Sequence, residues 1–319
     1  MSTSNFSKFY PTFKQKLNDR VLFDAPLAPF VAYGVGGPAD ILTFPTTEEE
    51  LEWIDNTAKA NHIPVTIIGT GTNLLVVDSG IRGVTISLAK AFQQIEQIKT
   101  IDENKTWVRC GGGVLKPTLL NWAVDQGLSG LEFSSGVPGT IGGGIYMNAG
   151  TKYGCYGDIL KEIRVFDFSK GFQQFKREEL LFSYRESEVK NSLVVWATFE
   201  LQKGDKVAIQ KEVERIICER AEKQPLDFPS CGSTFKNGPD YSSGRLIEKA
   251  GLKGLKVGGA EISTKHANFI LNKGNATAKD ILTLIDIIKT KVKAQFGVSL
   301  ECEVCILGDT VERTKSKET

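Results

Sequence analysis

Two glycine-rich stretches hold the residues of this chain best suited to bind a charged ligand. The first in importance runs from Phe133 to Gly150 and contains Gly136, Gly139, Gly142, Gly143, Gly144 and Gly150 with no charged residue. A backbone so bare of side chains exposes its own amide N–H groups. Successive N–H groups aimed into a concavity bind anions, phosphates above all. Taken alone, such a stretch is more often a tight turn between two strands. Here a second one, Ile68 to Val76 with Gly69-Thr-Gly71-Thr-Asn73, directly follows the apolar run Val65 to Ile68. Two neutral loops of this kind in one chain point to a ligand with more than one phosphate.

Other chemistries fit less well. The dinucleotide fingerprint GxGxxG is absent, because Leu74 stands where its third glycine belongs, and there is no GxxxxGK[ST] loop. Only His62 and His266 are present as histidines, which excludes a His-rich metal site, and no metal is expected. Cys302-Glu-Val-Cys305 has CxxC spacing but lies in the run Leu300 to Leu307, which reads as a strand. At period two, residues three apart point to opposite faces, so the two thiols are expected to diverge. The six cysteines, 110, 155, 218, 231, 302 and 305, are scattered and make no disulfide framework.

The elements that must position these loops read as α+β. The length of 319 residues suits two domains. The balance of 39 basic and 38 acidic residues, net +1, gives no global field toward nucleic acid or membrane. No apolar run reaches a membrane span, and the N-terminus lacks the apolar core of a signal peptide, so a cytoplasmic location is expected. Strands are expected at 41–44, 65–68, 74–77, 84–88, 107–110, 159–168, 193–201 and 300–307. Thr47 and Glu50 form a capping-box pattern for a helix with Leu51, Ile54 and Ala58 on one face. Further helices are expected at 117–126, 206–222 and 243–250. A final long one is capped by Thr277, with Ile281, Leu284, Ile285, Ile288, Val292 and Phe296 at helical spacing.

Seven short motifs, in this order along the chain, resemble the UDP-N-acetylenolpyruvoylglucosamine reductase (MurB) family. They are Val35-Gly-Gly-Pro-Ala-Asp40, Gly71-Thr-Asn-Leu-Leu-Val76 and Gly136-Val-Pro-Gly-Thr-Ile-Gly142, then Tyr184-Arg-Glu-Ser187, Cys231-Gly-Ser-Thr-Phe-Lys-Asn237, Lys265-His-Ala-Asn268 and Leu300-Glu-Cys-Glu-Val304. The resemblance runs from about Val35 to Gly308. The spacing from Arg185 to Ser233 resembles the family type without an inserted tyrosine loop. The resemblance implies an FAD-binding domain of the vanillyl-alcohol-oxidase (PCMH) type over 25–203 and a C-terminal substrate-binding domain over 204–309. A leader, 1–24, and a flexible tail, 310–319, flank them. By resemblance FAD lies across Gly69, Thr70, Gly71, Thr72, Asn73 and Leu74, and across Ser134, Gly136, Pro138, Gly139, Ile141, Gly142 and Asn148.

The reaction implied has two halves: NADPH reduces FAD, and hydride then passes to C3 of UDP-N-acetylglucosamine enolpyruvate, giving UDP-N-acetylmuramate for peptidoglycan synthesis. Negative charge builds at C2 and its carboxylate, where preorganised cations and donors supply the largest catalytic effect. By motif position Ser233 is the proton donor to C2, Arg185 holds the carboxylate and Glu303 assists protonation. Tyr184, Lys236, Asn237 and His266 fall on substrate-lining positions. A monomer is expected, with no nucleic-acid or membrane partner. If Leu300 to Leu307 is a strand, Glu303 shares a face with Glu301, and either like-charge neighbours or burial raises a carboxyl pKa. Two rivals stay open: an FAD-dependent oxidase of an alcohol or sugar, tethering flavin through Cys110 or Cys155, and a flavin- or UDP-sugar-binding protein without turnover.

Overall fold

In the computed structural model residues 6–189 and 192–308 are described. The expected tail at 310–319 and the start of the leader lie outside them. The described residues form two compact units, each assembled from separate segments: 6–42, 71–85 and 223–308 make the first, and 43–70 with 86–189 and 192–222 the second.

The second unit is built on an antiparallel sheet in the order Gly171–Lys176, Leu160–Asp167, Ser192–Lys203, Lys105–Gly111, Ile95–Thr100. The long strand Ser192–Lys203 is central because it is apolar on both faces. Leu193, Val194, Val195, Ala197, Phe199 and Leu201 are all buried, the pattern of a strand covered on each side. Its register runs from Trp196 opposite Gly111 to Gln202 opposite Lys105. The helices Lys116–Asp125 and Lys206–Lys223 add Leu119, Ala123, Ile209 and Val213 to the same core. Hairpin-forming strands Phe182–Ser183 and Glu186–Ser187 leave Tyr184 and Arg185 as the two turn residues.

The core of the first unit gathers around the helix Ala278–Phe296. Thr277 accepts from the Asp280 N–H at 3.1 Å while the Asp280 carboxylate accepts from the Thr277 N–H at 2.9 Å, so both free amides are satisfied at its start. Gly297 ends it at φ +70°. Ile281, Leu284, Ile285, Ile288 and Val292 are buried, each contributing about 1.5–3 kcal/mol of apolar burial. They pack with residues of the small antiparallel sheet Lys256–Val257, Ala260–Ile262, Ile270–Asn272 and of the parallel pair Leu74–Val76 with Cys305–Leu307.

Two expectations are corrected. Only Cys305–Leu307 of the run 300–307 is strand. Cys302 makes an isolated bridge to Phe235, and the Glu303 N–H donates to the Thr234 carbonyl at 2.9 Å. A tertiary partner therefore takes these amides, and the alternation argument for Glu301 with Glu303, and for the two thiols, loses its premise. The central glycine stretch is likewise not all loop: Ile141–Tyr146 is a short helix with Thr140 as its N-cap. Its amides are used within the protein. Ile141 N–H donates to Val114, Gly142 to Gly112 and Gly144 to Thr140 carbonyls, and Gly143 N–H to Thr140 Oγ1. At Gly142 a Cβ would stand 3.0 Å from the Gly112 carbonyl oxygen, so this glycine serves close backbone packing rather than an anion.

Candidate active site

In the first unit Ser233 lies in the segment Cys231 to Asn237, clamped from two sides. On one side Asn268, itself buried, imitates a strand edge. Its Oδ1 accepts from the Phe235 N–H at 3.0 Å, its Nδ2 donates to the Phe235 carbonyl at 2.8 Å, and its own carbonyl accepts from Thr234 N–H at 2.7 Å. On the other side stand the Glu303 contact to Thr234 and the Lys236 N–H donating to the Glu301 carbonyl at 2.9 Å. Asn73 completes the frame. Its Nδ2 donates to the Glu303 carbonyl at 3.0 Å and its carbonyl accepts from Cys305 N–H at 3.0 Å. The segments of Ser233 and Glu303 are thus adjacent. Gly232, at φ +74°, turns the chain just before the serine, whose hydroxyl is half-buried and makes no hydrogen bond among the described residues.

The expected substrate-lining residues of this unit have defined partners. Lys236 Nζ pairs with Glu301 at 2.6 Å, a rim contact because that carboxylate is exposed, and weak for that reason. Asn237 Oδ1 accepts from Ser243 N–H at 3.0 Å, capping the helix Ser243–Lys249. His266 Nδ1 accepts from Asn268 N–H at 3.3 Å, and the ring packs edge-on against Phe269. Burial, ahead of the charge of Lys253, holds its pKa below the ordinary histidine value, so the neutral ring with its proton on Nε2 is favoured. Cys231 packs against this frame with Sγ 3.2 Å from the Leu74 carbonyl, and burial pushes its thiol up to about 12, which makes it inert.

In the second unit Arg185 sits at the hairpin turn with φ +58°, its guanidinium 5.0 Å from the ring of exposed Tyr184. Asn148 fixes this hairpin. Its Nδ2 donates to the Ser183 carbonyl at 2.8 Å, while its Oδ1 accepts from Gly157 N–H at 3.0 Å. Ser187 adds a 2.8 Å bond to the Tyr146 carbonyl. Gly69 and the central stretch are close neighbours in this unit, since a Cβ on Gly69 would lie 2.8 Å from Thr140 Oγ1. Among the described residues the amides of Gly69, Thr70, Gly136, Gly139 and Thr140 have no protein acceptor in this unit, and in the first unit those of Gly71, Thr72 and Asn73 have none. Thr70 Oγ1 is buried and likewise unpartnered. Ser134 Oγ is taken by the Leu131 carbonyl. In each unit such orphan donors in a neutral loop suit a phosphate group, and they replace the amides of Gly142 to Gly144 that the glycine count alone suggested.

Two models of known domains match this chain: the C-terminal domain of UDP-N-acetylenolpyruvoylglucosamine reductase over residues 224–307 and an FAD binding domain over 39–173. A UDP-N-acetylenolpyruvoylglucosamine reductase of Moorella thermoacetica is 41% identical over 291 residues, covering 91% of this chain and 94% of the relative. The chain belongs to the UDP-N-acetylenolpyruvoylglucosamine reductase family. The enzyme of that name from Clostridioides difficile is 43% identical, over 90% of this chain and 93% of its own. The crystal structure of the reductase (MurB) from Thermus caldophilus superposes with a TM-score of 0.73 at 35% identity, covering 90% of this chain and 98% of that one. The expected α+β fold with an FAD-binding domain is borne out, and FAD is its cofactor.

Several residues of the site carry no role in the motif reading. Asn268 ends a quoted motif, but its clamp on Phe235 depends on partners far away in sequence. Lys116 and Arg220 stand outside every motif. The one sequence signal for Lys116 is a lysine at the first position of a helix, where cations are disfavoured. Among the described residues no cluster of His, Cys, Asp or Glu is placed to hold a metal, and no helix is long and apolar enough to cross a membrane.

Proposed function

We propose that this chain reduces UDP-N-acetylglucosamine enolpyruvate to UDP-N-acetylmuramate with NADPH as reductant. Residues 25–203 hold FAD, 204–309 hold the UDP-sugar, and the protein acts as a cytoplasmic monomer. When bound, FAD would supply the redox chemistry that links NADPH to C3 of the enolpyruvyl ether. The orphan amides of Gly69 to Asn73, with those of Gly136, Gly139 and Thr140, would hold its pyrophosphate.

The protein's own share of the chemistry is charge and proton management. Hydride addition at C3 leaves negative charge on C2 and its carboxylate, which Arg185 stabilises as a preorganised cation. The Ser233 hydroxyl supplies the proton at C2. A serine hydroxyl suffices although it is a weak acid, because the enolate-like carbon that takes its proton is itself a strong base. Glu303 assists and restores that proton. Neutral His266, Lys236, Asn237 and Tyr184 line the UDP-sugar site. The observation that carries this reading is the clamp around Ser233. Asn268 and the Glu301–Glu303 segment fix its neighbours Thr234, Phe235 and Lys236, while the hydroxyl itself is left uncommitted.

An oxidase that tethers its flavin finds little support. Cys110 is fully buried and burial pushes its thiol well above the ordinary range, and Cys155 is raised by burial and by Asp158. Neither is a competent nucleophile. The test is consumption of NADPH by the purified flavoprotein. It should depend on UDP-N-acetylglucosamine enolpyruvate and yield a product heavier by two hydrogens. Consumption that proceeds equally without the UDP-sugar, with oxygen as acceptor, would defeat the proposal.

A further inference from the structure

The second unit buries a lysine that this chemistry leaves unused. Lys116 opens the helix Lys116–Asp125 and is only 5% exposed. Its backbone N–H donates to the Gly139 carbonyl at 2.9 Å and its Nζ to the Pro138 carbonyl at 3.1 Å. The side chain passes directly over Gly144, where a Cβ would come within 2.8 Å of Lys116 Cε and 3.0 Å of the Tyr156 ring. Gly144 is therefore the room this lysine occupies. The charged groups that face it are both cations, Arg185 from the hairpin turn and Arg220 from the helix Lys206–Lys223; from the short helix Tyr156–Ile159 it meets the Tyr156 ring.

Arg220 is as poorly served. Its Nε is buried without a hydrogen-bond partner, 3.1 Å from where a Cβ on Gly136 would stand. Among the described residues neither Lys116 nor Arg220 forms an ion pair. Two unpaired cations thus converge on residues 136–138 of the glycine stretch. A buried charge without a counter-charge is strongly unfavourable, and sites that keep such groups are sites where a ligand supplies it.

We propose that Lys116 and Arg220 form, with Arg185, a cationic seat for one anionic group of the ligands bound at this stretch, either a phosphate of the cofactor or an acidic group of the UDP-sugar. This rests on the reductase reading above. The seat also gives binding a pH limit. Burial, reinforced by Arg185 and Arg220, lowers Lys116 to about 8, and a bound anion raises it again. Affinity for that anion is then full below pH about 8 and falls as pH rises beyond it.

The test compares wild type with Lys116→Met, which keeps the length of the side chain and removes its charge. FAD is titrated into the apoprotein by flavin fluorescence, and UDP-N-acetylglucosamine enolpyruvate into the FAD-loaded protein by flavin absorbance. A seat for the cofactor gives an FAD Kd weakened about tenfold or more with the UDP-sugar Kd within about twofold; a seat for the substrate gives the reverse. Both constants within about twofold of wild type overturn the proposal. So does a wild-type affinity that stays flat for both ligands between pH about 7 and 10, a measurement that needs no variant. Wild type that binds neither ligand would instead bring down the reductase reading, and this one with it.

Discussion

Removing the Asn268 side chain should unseat the proposed proton donor without touching it. In Asn268→Ala the Phe235 N–H and carbonyl, bonded at 3.0 and 2.8 Å, both lose their partner in a buried setting. Each orphaned buried group costs about 1–3 kcal/mol, so the first unit should lose about 2–5 kcal/mol once partial relaxation is allowed. Asn268→Asp separates the two bonds. It keeps an acceptor for the N–H but sets an oxygen against the Phe235 carbonyl, so it should also destabilise. Thr234 keeps its bond to the Asn268 backbone carbonyl in either variant, which makes local misplacement of Ser233 the expected result rather than global unfolding. Urea denaturation measures the stability, and rapid-mixing absorbance separates flavin bleaching by NADPH from recovery with the enolpyruvyl sugar. Recovery should slow while bleaching is preserved. A stability loss under about 0.5 kcal/mol together with unchanged recovery would refute the clamp.

Three further outcomes follow from the same geometry. Ser233→Ala should preserve flavin reduction by NADPH and slow the enolpyruvyl step by about 10²–10⁴-fold; equal loss in both half-reactions, measured by stopped flow, would remove the serine from its role. Gly71→Ala should yield protein depleted of FAD, because φ is +65° and a Cβ would stand 2.4 Å from the Phe30 carbonyl oxygen, adding a left-handed penalty of about 1–2 kcal/mol to a backbone clash; a full flavin spectrum in the purified variant would contradict this. The FAD-free protein should become more stable as pH rises from about 8 toward 10.5, since Lys116 is lowered to about 8 when folded and titrates at 10.5 when unfolded. The unfolded chain binds the extra proton in that window, and the gain is on the order of 3 kcal/mol. Denaturation midpoints of wild type minus those of Lys116→Met isolate it, and a difference that does not change with pH would disprove it.

What could be read from the sequence was whatever is decided locally. The Thr277–Asp280 cap, the apolar spacing from Ile281 to Val292 and the stop at Gly297 all act within a few residues, and the helix Ala278–Phe296 stands as the pattern implied. The strand Ser192–Lys203 announces itself through consecutive apolar residues for the same reason. The segment 300–304 does not, because its amides and carbonyls pair with Thr234 and Lys236, a tertiary choice that alternation cannot encode. The glycine stretch misled in a related way. A glycine signals freedom of approach, but not what approaches: at Gly142 it is the Gly112 carbonyl and at Gly144 the Lys116 side chain. Motif order brought Ser233 and Glu303 into view, and the tertiary structure supplied Asn268, which clamps the segment that follows the serine.

The most direct test of the central claim is the visible spectrum of the purified protein, followed anaerobically through two additions. NADPH should bleach the flavin, and UDP-N-acetylglucosamine enolpyruvate should then restore it in step with formation of UDP-N-acetylmuramate. A flavin that bleaches but regains its colour only when oxygen is admitted would contradict the account.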